Sequence, residues 1–81
     1  MSLFIVDVEA DGPCPGLYSM ISFGVVKVVD PAVSFYAEMH PVTEQWVPEA
    51  LAAIGIEREK TLAWEDPAVV MPRFSAWLAH V

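Results

Sequence analysis

Asp7 and Glu9 stand one residue apart in an apolar, β-branched run, Phe4–Gly12, read as Phe-Ile-Val-Asp-Val-Glu-Ala-Asp-Gly. In a strand, successive side chains alternate between faces. Leu3, Ile5, Asp7 and Glu9 then share one face, and Phe4, Val6 and Val8 share the other. Two carboxylates therefore project side by side near the strand's carboxyl end, where α/β folds tend to place their chemistry. Like charges this close repel, and a fold that keeps both ionised neutralises them with a cation. Two acids on the solvent face of a half-exposed strand need no metal. Their placement at the end of an otherwise apolar strand favours the metal reading, because it predicts a buried strand.

A calcium loop is the nearest alternative. Asp7-Val-Glu9-Ala-Asp11-Gly12 imitates the first half of an EF-hand loop. The twelfth position should be a bidentate Glu and is Tyr18. Pro13 and Pro15 fall inside the would-be loop, and the preceding segment is not a helix. The EF-hand is rejected; a different calcium site on the same acids is the weaker option.

The elements around these acids must fit in 81 residues, enough for one small domain, 1–81, with a thin core. The hydrophobic fraction is 56%, above the roughly 45–50% usual in globular domains. Such a chain is expected to bury a face against a partner or to belong to something larger. The net charge of −7 argues against a broad phosphate-binding surface. The only basic residues, Lys27, Arg58, Lys60 and Arg73, are scattered. Nucleic-acid contact must then be local and metal-mediated, or supplied by a missing part. Cys14, the single cysteine, cannot form an internal disulfide, which fits a reducing cytoplasm. His40 and His80 do not complete a zinc cluster with it; Cys14 and His40 read as plain loop residues. The N-terminus lacks the basic region of a signal peptide. No apolar run approaches a membrane span. A cytoplasmic chain with no membrane partner is expected.

In chain order, Leu3–Glu9 is strand one. Ala10–Ser19, with Asp11-Gly12-Pro13 and Pro15-Gly16, is a long loop. Met20–Val29 is strand two, in which Gly24 hints at a bulge or a close approach. Asp30-Pro31-Ala32 is a turn and Val33–Met39 an edge strand, making an antiparallel hairpin. Pro48–Ile54 is a short helix with Pro first and Gly55 as its stop. A helical turn is expected around Glu57–Lys60. Asp66-Pro67 starts the last helix, whose apolar stripe is Val70, Phe74, Trp77, Leu78 and Val81. Pro72 should kink or restart it.

Together these residues resemble the N-terminal portion of a DEDD-superfamily 3′–5′ exonuclease, the proofreading branch of the ribonuclease H-like fold. The resemblance rests on Ile5-Val6-Asp7-Val8-Glu9, which matches that family's first motif. It extends through Asp11-Gly12, Ile21-Ser22-Phe23-Gly24, the stretch from Phe35 to Gly55, and Asp66-Pro67 with Phe74 and Trp77-Leu78. It implies an α/β fold present in part, a three-stranded half of a mixed sheet in the order β-β-β-α-α. It further implies that Asp7 and Glu9 are catalytic metal ligands for two Mg²⁺ or Mn²⁺ ions, Asp7 touching both and Glu9 one. Ala10, Asp11 and Gly12 would lie against the terminal nucleotide of a DNA or RNA 3′ end.

The same family requires a second Asp on a later strand and a third motif with a final Asp and a general-base His or Tyr. No strand is expected beyond Trp77–Val81, and neither His40, His80 nor Tyr36 has an Asp at the right distance. The 81 residues by themselves are expected to be catalytically dead or nearly so. With the later strand missing, Phe4–Val8 becomes an exposed apolar edge. That edge is expected to pair with a second copy or with a C-terminal half. Two readings compete with the nuclease: a non-catalytic interaction module pairing through strand one, and a carboxylate metal site with a structural role.

Overall fold

The computed structural model describes residues 2–14 and 16–81. The loop assignment of Pro15 lies outside them. Six elements follow in order: β1 (Phe4–Ala10), β2 (Met20–Lys27), β3 (Asp30–Glu38), α1 (Pro48–Ile54), α2 (Arg58–Leu62) and α3 (Pro67–Leu78). The chain is α/β, with one sheet in the order β1-β2-β3.

Every strand pair is antiparallel, so the sheet of the described residues is not mixed. The connections decide this, since a parallel neighbour needs a crossover of a dozen or more residues. Among the described residues, the one parallel element is a bridge between Met39 and Glu65, just past β3. Three helices form where two were counted, because the turn expected near Glu57–Lys60 is a separate α2.

The β2–β3 turn also differs from expectation. Lys27 pairs with Asp30, so the turn is Val28 and Val29, and Asp30-Pro31-Ala32 already belongs to β3. Two-residue hairpins favour primed turns, which need positive φ. No described non-glycine residue has one. A register shift between Val26 and Lys27 accompanies this unprimed turn. Pro31 is tolerated because β3 is an edge strand. Gly24 is not at a bulge: the irregularities lie at Glu9/Ala10 and Val26/Lys27.

The core forms on one face of the sheet. Phe23, Val25, Ala37, Met39 and Val70 are buried together, with Phe4, Phe35, Phe74 and Trp77 packed against them. The Phe74 ring meets Phe23 edge-on at 4.9 Å and Phe35 at 5.3 Å, a favourable aromatic geometry. Lys27 Nζ donates to the Val81 carbonyl at 2.9 Å, tying β2 to the end of α3.

The helix ends follow the sequence chemistry. Gly55 at φ 71° closes α1 in the left-handed conformation that glycine adopts without steric cost. Asp66 caps α3 by accepting from Ala68 N at 2.8 Å. The expected restart at Pro72 does not occur: α3 is one helix across it. Proline leaves the Ala68 carbonyl without its helical donor. Both residues are exposed, so water can serve that carbonyl. No described helix is long and apolar enough to cross a membrane.

Candidate nuclease site

β1 places the two carboxylates. Asp7 pairs with Gly24 and Glu9 with Ser22 in the β1–β2 ladder. Gly24 pairs in turn with Tyr36, and Ser22 with Glu38. Directly paired residues share a face. Asp7, Gly24 and Tyr36 thus form one row across the sheet, and Glu9, Ser22 and Glu38 the next. Both rows lie opposite the face that carries α3.

Asp7 and Glu9 line one groove of about 320 Å³ with Ser22, Gly24, Tyr36, Ile54 and Ile56. Their Cα atoms are about 6.6–6.8 Å apart at the rise of a strand. Asp7 is exposed and Glu9 half-buried. The buried setting expected for these acids is therefore corrected. β1 is an edge strand, and Ile5, Val6 and Val8 are 61%, 59% and 52% exposed. The apolar edge anticipated for Phe4–Val8 is present.

The loop after Glu9 is built around Asp11, whose side chain is fully buried. Its Oδ1 accepts from Ser19 N at 2.6 Å, and its Oδ2 meets Arg58 Nη1 at 2.8 Å. Its backbone carbonyl accepts from Val47 N at 2.7 Å. One residue thus ties the loop to the start of β2, to the N-cap of α1 and to α2. The Asp11 carboxylate is turned inward, away from any ligand on the surface. Ala10 and Gly12 flank it. With Val8, Pro13, Cys14, Tyr18 and Met20 they line an apolar pocket of about 290 Å³. Gly12 is in contact with the Tyr18 ring, and a Cβ there would collide with it. Cys14 is exposed and free.

The hard carboxylate oxygens of Asp7 and Glu9 suit Mg²⁺ or Mn²⁺ in donor chemistry. Their number does not fill the shell. Among the described residues, no three His, Cys, Asp or Glu side chains cluster to hold a metal ion. His40 turns Nδ1 to the Pro41 carbonyl at 2.7 Å, and His80 turns its own to Ala76 at 2.8 Å.

Sequence reasoning missed Arg58, Ser19 and Tyr36. Ser19 Oγ accepts from Val42 N at 2.9 Å and from Thr43 N at 3.3 Å, pinning the loop before α1. The sequence carries no local signal for the Arg58 contact, because its partner Asp11 lies 47 residues away.

No protein-family model matches the chain. The chain is similar to the 3′-5′ DNA exonuclease Cap18 of Escherichia coli, at 36% identity over 77 residues. That match covers 94% of this chain and 41% of Cap18, so the chain spans about two fifths of that relative's length. The likeness supports an exonuclease-like portion of a protein.

Proposed function

We propose that these residues are the first part of a metal-dependent 3′–5′ exonuclease with a ribonuclease H-like fold, acting on a nucleic-acid 3′ end in the cytoplasm. The observation that carries the reading is the placement of Asp7 and Glu9. They are two acids on one face of β1, at an open groove, with no described basic side chain ion-paired to either. The likeness to a DNA exonuclease supports DNA as the substrate.

Asp7 and Glu9 hold Mg²⁺ or Mn²⁺ in this reading, as the catalytic pair. Such ions supply positive charge against the phosphodiester and lower the pKa of water. The chain's own residues position the nucleotide. Ala10 and Gly12 present backbone at the end of β1, while Asp11 holds that loop from beneath. Two ligands bind a hard cation weakly, so the 81 residues alone bind metal without turning over substrate. The remaining acids and the general base come from outside them.

A Mn²⁺ titration followed by NMR tests this. Paramagnetic broadening should begin at the amides of Val6–Ala10 and vanish in Asp7→Ala and Glu9→Ala. Broadening spread evenly over all the acidic side chains would sink the metal site. Both variants should leave stability within about 0.5 kcal/mol, as surface substitutions do.

The exposed edge of β1 favours a second reading, a non-catalytic module that pairs through this strand. Both readings use the same edge, which takes either a C-terminal half or a second copy.

A further inference from the structure

Tyr36 stands in the same cross-strand row as Asp7, with only Gly24 between them. Its side chain is 64% exposed. At the strand spacing of a sheet, Asp7 and Tyr36 lie about 10 Å apart, Cα to Cα. Gly24 has no side chain to fill that gap. A Cβ there would stand 3.8 Å from the Tyr36 ring, in ordinary van der Waals contact, so the ring leans toward the Gly24 backbone. The result is a trough with a backbone floor, a carboxylate wall and an aromatic wall. Two adjoining cavities of about 320 Å³ each share Asp7, Gly24 and Tyr36. Ile5, Val26 and Ser34 extend one of them; Glu9 and Ser22 extend the other.

We infer that this trough holds a base near the 3′ end of a single-stranded nucleic acid, stacked on Tyr36, while its phosphate lies at Asp7 and Glu9. The inference rests on the nuclease reading and adds a substrate-positioning residue that reading lacks. The charge pattern selects the occupant. A protein surface closing over the trough would bury Asp7 against apolar neighbours, and neither ion pair of the described residues neutralises it. Burying an unpaired charge is strongly unfavourable. A phosphodiester that arrives with a divalent cation removes that cost. The Tyr36 ring itself is neutral, with Glu38 one row further along the same face, so it suits a neutral π-face. Base–aromatic stacking is tolerant of sequence and independent of phosphate charge. That matters in a chain of net charge −7 with no basic stripe.

The test is NMR titration of the chain with Mg²⁺ and a single-stranded oligothymidylate, set against an abasic oligonucleotide of the same length. The base-bearing strand should shift the Tyr36 ring protons, and the abasic one should not. Tyr36→Ala should weaken binding by about tenfold or more, while Tyr36→Phe should bind like the parent. Gly24→Val, which fills the trough beside the ring, should weaken binding similarly. If the oligonucleotide shifts the Asp7–Glu9 amides but neither the ring nor the affinity of Tyr36→Ala changes, the stacking inference falls and the nuclease reading stands. If metal binds at Asp7 and Glu9 but no strand does, the inference also falls. Absence of both metal and strand binding overturns the two together.

Discussion

Arg58 Nη1 lies 2.8 Å from Asp11 Oδ2, joining residues 47 apart in the chain through a carboxylate with no solvent exposure. The guanidinium also sits over the Trp46 ring, 5.3 Å from its centroid, a cation–π distance. Removing one partner of a buried pair costs about 3–5 kcal/mol, because the other charge is left unpaired. Asp11→Ala also strips the acceptor from Ser19 N. Urea unfolding of Asp11→Ala and Arg58→Ala should each show a loss of that size. It is a large share of the roughly 5–15 kcal/mol available to a small domain. A loss below about 1 kcal/mol for both would mean the pair does not hold the loop.

Gly12 and Tyr18 make a second, purely steric prediction. Gly12 does not need positive φ; only Gly16 and Gly55 have it. What forbids a larger residue is the Tyr18 ring. Gly12→Ala should cost about 1–3 kcal/mol by overpacking. In a Tyr18→Ala background that penalty should disappear. A double-mutant cycle on thermal midpoints reads the coupling. Gly24→Ala, with its ordinary 3.8 Å neighbour, is the matched control and should be nearly neutral to packing.

The contrast between those two glycines shows what the sequence made legible. Asp-Gly after a strand reads as a turn, and Gly inside a strand reads as a bulge or a close approach. The bulges instead fell at strand ends, where the register must adjust to the turn and to the loop. Gly24 is explained by a row of three residues on three strands, which no local pattern displays. The Asp7/Glu9 pairing on one face was legible because strand alternation is strict. So were both ends of α1, because Pro and Gly carry their own backbone preferences. The inward turn of Asp11 was not legible. Its partners, Ser19 and Arg58, are supplied by other elements, and only the tertiary fold brings them together. Likewise, α3 runs on across Pro72, where the orphaned carbonyl can reach water, and exposure is not written in the residue itself.

Glu65 and Arg73 form an exposed two-point ion pair, Oε1 to Nη1 at 3.1 Å and Oε2 to Nη2 at 2.9 Å. The hydrogen bonds and charge of Arg73 hold the Glu65 carboxyl below its ordinary value. A carboxylate with a depressed folded-state pKa stabilises the fold above its unfolded pKa. That contribution is lost as pH falls through the folded value. Glu65→Gln should therefore lower the thermal midpoint slightly at pH 7, and the difference should close in strong acid. The Glu65 backbone bridges to β3 through His40 N at 2.7 Å, so the substitution leaves the fold intact. Raised salt should shrink the effect, since both side chains are solvated. A difference that grows toward acid would reverse the assigned sign.

The free edge of β1 yields the last prediction, and charge narrows its register. Two copies joined edge to edge by a two-fold axis normal to the sheet pair residue i with a partner of the same face. An axis through Asp7 would set Asp7 against Asp7, which is destabilising for like charges directly opposite. An axis through Val6 sets Val6 against Val6, Val8 against Phe4 and Asp7 against Ile5, so the apolar face continues and the acids stay apart. Self-association should thus rise with concentration in analytical ultracentrifugation, and Val6→Lys should abolish it, as charges do on edge strands. In a Cys14→Ser background, Val6→Cys should oxidise to a covalent dimer faster than Asp7→Cys. Equal rates would discard the Val6-centred register. A wild-type chain that stays monomeric at several hundred micromolar would discard pairing between copies and leave the edge to a different strand.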